Sequence, residues 1–339
     1  LELTAALNAL TDLDAAPALA DRLRVFQQRT ASGGLDGAVA TRLISAFNDQ
    51  LTEKLIELTA QRHRLPPVAW CWLALGSEGR HEQTFVTDQD NGLIFNATSD
   101  QEAAALRELF LPFAQDVNRQ LAACGFALCT GQIMAGNPAW CLSLDEWRGC
   151  FIDWVRRPDP DALLNASIFF DLRPLSGQLE LGERLRTLLL SMTVATPSFQ
   201  HLMAANALQA EVPLNFRGEI AVDDSEAIDL KKYGSRIFVD AARIFALTSG
   251  VRAVNTVDRL NEAGAAIGLP PAEIAALTAA FSHILRLRLG QQMSASAKGE
   301  AEGGGLKPAA LHEMDRAILR EALKQARRLQ QRLKLNYLL

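Results

Sequence analysis

Between Leu73 and Phe95 the chain reads LALGSEGRHEQTFVTDQDNGLIF, and its reactive side chains are of types that handle phosphate or a hard cation. Gly76 permits a tight turn and close approach of backbone to a ligand. Ser77 adds a hydroxyl, and a helix opening there presents several N–H groups, a natural cradle for phosphate. Arg80 offers a planar fork suited to phosphate oxygens. Asp88 and Asp90 are two residues apart, so on an extended segment both carboxylates point to one side. Such a pair suits Mg2+, which prefers oxygen ligands and keeps part of its coordination for phosphate. Cradle and cation pair together imply one ligand, a nucleoside triphosphate.

Other users of an Asp-x-Asp pair fit less well. A haloacid-dehalogenase-type phosphatase needs its first Asp at the C-terminal end of a buried strand. Here Glu82-Gln83-Thr84 precedes the pair and the apolar run follows it. An EF-hand loop needs glycine at its sixth position, and Gly92 is the fifth residue from Asp88. The histidines have no metal-ligand spacing. His81 lies inside the turn, where ligand contact and a plain surface position both remain open. Cys71, Cys124, Cys129, Cys141 and Cys150 are odd in number, form no CxxC pair and sit among apolar neighbours, so they read as reduced, buried thiols.

The elements that must position these residues change character along the chain. Leu43, Phe47, Leu51, Leu55 and Leu58 make one stripe of a helix opening near Asp36, after a weaker helix carrying Leu19, Leu23 and Phe26. Pro66-Pro67 closes this helical region. Val68 to Leu75 is a continuous apolar run, the pattern of a strand buried on both faces, and Gly92 to Phe95 is a second strand. Ser99 or Asp100 caps a helix with Leu106, Leu109, Phe113, Val117 and Leu121 on one face and a kink expected at Pro112. Phe126 to Cys129 and Ala166 to Leu172 read as further strands, and Ser143 with Glu146 as a capping box.

From about Gly177 the pattern is helical over 181–192, 227–247, 254–263 and 271–288. Ser294 to Gly305 reads as a mobile loop, and a last helix is expected over Pro308 to Leu335. The class is α+β: a small mixed β-sheet domain over 67–185, flanked by an N-terminal helical region over 1–66 and a C-terminal helical bundle over 186–339.

Composition narrows the partners. A net charge of −5 and a pI near 5.7 argue against a dedicated nucleic-acid binder. No run reaches the roughly 18 apolar residues of a membrane span, and no signal segment is present, which points to the cytoplasm. The chain starts at Leu1, as a piece of a longer protein would.

The order of apolar strand, Gly76-Ser77, Asp88-x-Asp90 and second strand resembles the DNA polymerase β-type nucleotidyltransferase superfamily. The fuller text Gly76-Ser77-Glu78-Gly79-Arg80-x-Glu82-Gln83 with Thr87-Asp88-Gln89-Asp90-Asn91 is similar to one branch, the DUF294 nucleotidyltransferases. These are related to the uridylyl- and adenylyltransferases of nitrogen regulation. Asn137-Pro138-x-Trp140, Phe169-Phe170-Asp171-Leu172-Arg173, Asp229-Leu230-Lys231-Lys232 with Arg236 and Asp240, and Asn255-Thr256 with Arg259-Leu260 extend the likeness over most of the chain.

The resemblance implies nucleotidyl transfer with release of pyrophosphate, ATP or UTP as donor, and two Mg2+ ions. Asp171 is then the third carboxylate beside Asp88 and Asp90 and helps deprotonate the acceptor, while Ser77 holds the β- and γ-phosphates. Lys231 and Arg236 reach the nucleotide from the helical half. The resemblance further implies a protein acceptor, a place in signal transduction, and CBS or cyclic-nucleotide-binding domains ahead of Leu1. Other readings of single residues stay open at this stage. Asp171 could pair with Arg173 or cap a turn, Lys231 and Lys232 could form a solvated face, and Trp140 could simply pack. A nucleotide sensor without transfer activity, or a helical scaffold docking through its basic last helix, are the other classes of function.

Overall fold

A computed structural model describes residues 2–222, 224, 226–298 and 305–339; residues 299–304 of the expected loop lie outside these. The chain divides into two compact units, Leu1–Arg29 with Arg42–Leu189, and Thr30–Thr41 with Leu190–Leu339.

The first unit is built on α1 (Glu2–Asn8), α2 (Ala16–Ser32) and α3 (Gly37–Ala60), followed by the sheet and its helices. Strand β1 (Trp70–Ala74) runs into the one-turn helix α4 (Gly76–Gly79), and β2 (Asn91–Phe95) is followed by α5 (Asp100–Ala123). Then come β3 (Cys141–Ser143), α6 (Leu144–Arg156), α7 (Pro160–Phe169), β4 (Arg173–Gly177) and α8 (Glu180–Val194). The strand order is β3-β2-β1-β4. Strand β1 is antiparallel to both β2 and β4, while β2 and β3 are parallel, so the sheet is mixed.

Alternation along the strands separates two faces. Trp72 and Ala74 of β1 with Leu93 and Phe95 of β2 join one core with Leu106, Phe110, Phe113, Val117 and Leu121 of α5. Leu19 and Leu23 of α2 and Leu51, Leu55 and Leu58 of α3 belong to the same core, so these helices fold onto the sheet. The opposite face meets aromatic rings. A Cβ on Gly92 would lie 3.0 Å from the Trp147 ring, whose indole N–H donates to the Leu93 carbonyl at 3.1 Å. Trp140 stacks on Trp147 and packs on Phe169, which makes it a packing residue.

Several local expectations hold for their stated reasons. Asp36 caps α3 by accepting from Ala38 and Val39, Ser99 caps α5, and the Ser143–Glu146 capping box is complete. Each such cap is worth about 1 kcal/mol. Others are corrected. Leu109 is exposed, off the buried face of α5. The strand expected at 126–129 is reduced to one parallel bridge between Ala127 and Asp88.

Residues 166–169 end a helix and do not form a strand. Asp159 accepts from the Ala162 N–H and Pro160 occupies the first turn, so helix signals upstream override a short apolar run of ambiguous period. The strand starts later, at Arg173, and Asp171 lies in the turn before it.

The second unit contains α9 (Pro197–Ala207), α10 (Arg236–Thr248), α11 (Thr256–Ala266), α12 (Pro271–Lys298) and α13 (Glu313–Tyr337). Helix α10 is its centre: Ile237 through Leu247 are all buried, the mark of a helix enclosed by others. The helix expected from Ala227 starts late, because Asp229 accepts from the N–H groups of Lys231 and Lys232 and opens a π-helical turn over Lys231–Ser235. Helix α12 runs past Arg288 to Lys298, so Ser294–Lys298 is helical where a loop was expected. The last helix starts at Glu313 under a His312 cap, after a short 3-10 turn at Pro308–Ala310. Among the described residues no helix is long and apolar enough to cross a membrane.

Candidate functional site

Strand polarity brings the candidate residues together. Because β1 is antiparallel to β2 and β4, its C-terminal end lies beside the N-terminal ends of both. Ala74 pairs with Asn91 on one side and Arg173 on the other. The Gly76 turn after β1, the Asp88–Asp90 segment before β2 and Asp171 before β4 therefore share one end of the sheet. The Leu75 N–H donates to the Asp90 carbonyl at 2.9 Å, extending the ladder to the aspartate itself.

The four residues Asp88-Gln89-Asp90-Asn91 alternate in role. Gln89 and Asn91 turn inward to Asn118 of α5. Asn118 donates to the Gln89 and Asn91 side-chain oxygens at 2.9 and 3.0 Å, and Gln89 donates to the Asn118 and Phe126 carbonyls. Asn91 also accepts from the Ala135 N–H, and Asn118 from that of Gly136. Within this buried network only the Asn91 Nδ2 lacks a partner, and the bonds it makes fix the strand's register and rotation. With the inward positions locked, Asp88 and Asp90 point the other way.

Their carboxylates meet a third group, the Cys129 thiol. The ligand atoms of Asp88, Asp90 and Cys129 all lie within 4.8 Å of one another. Both aspartates are half-buried and Cys129 is buried. Burial pushes the thiol's pKa up, and its hydrogen bond to Asp90 acts in the same direction. Cys71, Cys124 and Cys141 are free and buried and fit the buried-thiol reading, with Cys71 and Cys141 pushed up to about 12 by burial, whereas Cys150 is free but only partly buried. Cys129 departs from it. Sequence reasoning missed this residue; its signal was position, two residues after the partner of Asp88 in the parallel bridge.

Gly76 is required where it stands. Its φ is +52°, and a Cβ would lie 2.6 Å from Asp90 Oδ2. Gly76→Ala should therefore lower stability by about 1–2 kcal/mol for the left-handed backbone alone, measured by urea denaturation. It should also displace the Asp90 carboxylate and weaken divalent-cation binding in calorimetry. Binding equal to that of the unsubstituted chain would show that Asp90 does not depend on this glycine.

Within the turn, the N–H groups of Gly79, Arg80, His81 and Glu82 bond back to carbonyls of residues 75–78. Any phosphate contact thus falls to the half-buried Ser77 and the very start of the turn. Arg80, expected as a phosphate fork, is instead held between two carboxylates. Its Nε donates to Glu82 at 2.8 Å and its Nη1 to Asp171 at 2.6 Å. Asp171 is fully buried and does not join the Asp88–Asp90–Cys129 group. Its ion-pair partner is Arg80; Arg173 pairs with Asp49 of α3 at 2.8 Å.

Arg173 braces the turn from behind, donating to the carbonyls of Glu78 and Gly79 at 3.1 and 3.3 Å. His81, at φ +56°, has its Nδ1 3.4 Å from Asp49, so this ring is engaged with α3. Glu78 is buried among these groups. Burial is the main cause that raises its pKa to about 8; Asp49 and Asp90 add to the rise and Arg173 opposes it.

Lys231 and Arg236 lie in the second unit, at the π-turn and the start of α10. Both are exposed, and the Arg236 Nε donates to Asp240 at 3.2 Å.

Residues 21–161 match the family model described as "Putative nucleotidyltransferase DUF294". Residues 197–337 match the one described as "Putative nucleotidyltransferase substrate binding domain". The first match contains Gly76, Ser77, Arg80, Asp88, Asp90 and Cys129, the second Lys231 and Arg236, and Asp171 lies between them. None of the curated proteins matches the chain.

Proposed function

This chain belongs to the DUF294 family of nucleotidyltransferases, and from that premise we propose that it is a Mg2+-dependent transferase acting on a protein hydroxyl. In the reaction the acceptor oxygen forms a bond to the α-phosphorus of an NTP, ATP or UTP, as the bond to the β-phosphate oxygen breaks and pyrophosphate leaves. The observation that carries this reading is the Asp88–Asp90 pair aimed away from the locked Gln89–Asn118 network, beside a glycine turn with no room for a side chain.

Two carboxylates at one point are a donor set that suits Mg2+. Bound there, the ion would screen the triphosphate charge and make the acceptor hydroxyl more acidic. Asp88 and Asp90 would hold it. Ser77 and the start of α4 would orient the terminal phosphates, with the Arg80 guanidinium held in place at the turn by Asp171 and Glu82. Lys231 and Arg236 supply exposed cations within the segment matched as a substrate-binding domain, and we assign them to that task. The protein acceptor rests on the likeness to the enzymes of nitrogen regulation.

Incubation with labelled NTPs, Mg2+ and a cell extract tests the proposal. Label should pass to a protein, and Asp88→Asn with Asp90→Asn should abolish the transfer. Transfer that survives the double substitution would overturn it. NTP binding with no transfer to any acceptor would favour a sensor instead.

A further inference from the structure

The cation pair has a neighbour that two-carboxylate Mg2+ chemistry does not use. Cys129 is 6 % exposed, yet its sulfur is within 4.8 Å of the ligand oxygens of both Asp88 and Asp90. The chain goes to some length to keep it there. The Gln89 N–H donates to the Ala127 carbonyl at 2.8 Å and the Asn91 N–H to the Ile133 carbonyl at 3.2 Å. The loop carrying Cys129 is thus stitched at both ends to the strand that carries the aspartates. Backbone groups of Gly131 and Ile133 hydrogen-bond the sulfur. Hydrogen bonds of this kind orient and tune metal-bound thiolates.

We propose that Cys129 is a third ligand of this site, engaged by thiophilic divalent ions such as Zn2+ or Cd2+ and left aside by Mg2+. The inference rests on the reading of Asp88 and Asp90 as the cation pair. Soft sulfur donors select zinc-like ions, whereas carboxylates alone suit Mg2+. With Mg2+ the thiol keeps its proton and donates to Asp90. With a thiophilic ion the S–H bond breaks, the proton passes to solvent, and a metal–sulfur bond forms beside the two carboxylates. The site then has three protein ligands, the number found in catalytic zinc sites. An ion held this way would compete with Mg2+ for the same aspartates, so the transferase would be inhibited by zinc-like ions through a residue that takes no part in Mg2+ catalysis.

The full chain, freed of metal with a chelator, is titrated with Cd2+ while the ultraviolet thiolate-to-cadmium charge-transfer band is followed. One equivalent should produce the band. Cys129→Ser and Cys129→Ala should abolish it and weaken Cd2+ binding by about 10–100-fold, the scale on which a site's supporting groups act. Mg2+ affinity, read by calorimetry on the same variants, should move far less. Circular dichroism and a Cys150→Ser control confirm that the loss is local. A band that persists in both Cys129 variants, or never forms in the unsubstituted chain, overturns the proposal. Asp88→Asn with Asp90→Asn separates the two levels. If neither ion responds to it, the cation pair itself is wrong. If Mg2+ responds but Cd2+ ignores Cys129, only the third ligand is wrong.

Discussion

Asp171→Ala is expected to lower the unfolding free energy by about 1.5–3 kcal/mol, the usual worth of a hydrogen bond between charged groups, with Arg80 still paired to Glu82. The pair is short at 2.6 Å, Asp171 is fully buried, and the Arg80 side chain is only 12 % exposed. Urea denaturation in the absence of divalent ions measures the effect. The double variant Arg80→Ala/Asp171→Ala should lose less than the sum of the two single losses, because each single variant already removes the Arg80–Asp171 pair and the sum counts it twice. Glu82 loses its partner at 2.8 Å in both the Arg80 single variant and the double variant, so that loss cancels from the comparison. The experiment also decides what Asp171 is for. A third metal carboxylate would leave metal-free stability nearly untouched on removal and would cost Mg2+ affinity instead. Additive single losses together with weakened Mg2+ binding would return Asp171 to the cation site.

The sheet end was legible from the sequence because its signals are local. A continuous apolar run, a glycine where a strand must turn, and two aspartates at period two all lie within 73–95. Alternation then placed Asp88 and Asp90 on one side, as found. What was not legible depends on pairings between distant residues. Arg80 and Asp171 are 91 positions apart, and no spacing rule says that an arginine at the end of a glycine turn will be claimed by that carboxylate. Cys129 reached the aspartates through the bridge between Ala127 and Asp88. In sequence it follows Phe126-Ala127-Leu128 and reads as a core thiol, and even the strand expected there shrinks to that single bridge. The misplaced strand at 166–172 has a related cause: a short apolar run carries no period of its own, and the Asp159–Pro160 helix start decided it. Asp171 consequently moved from a strand to a turn, which is where it meets Arg80.

Glu78→Gln is expected to stabilise the protein at alkaline pH. In the unfolded chain this carboxyl ionises near its ordinary value of 4.5, whereas in the fold it stays protonated until about pH 8. Burial is the principal cause, with Asp49 and Asp90 adding repulsion and Arg173 offsetting part of it. Between those two values the folded state binds a proton that the unfolded state has released, so this group's contribution to stability falls as pH rises. Below pH 4.5 it contributes no slope, and above about 8 the fall is complete. One pKa unit corresponds to about 1.4 kcal/mol, which puts the whole fall on the order of a few kcal/mol. Glutamine has the shape of the protonated acid and cannot ionise. Denaturation in EDTA, so that no cation on Asp90 alters the field, should show the variant gaining on the parent from pH 5 to 8 and matching it near pH 4.5. A constant difference at every pH would mean that Gln changes the packing, and would overturn the assignment of Glu78 as an acid held neutral in the Gly76–Gly79 turn.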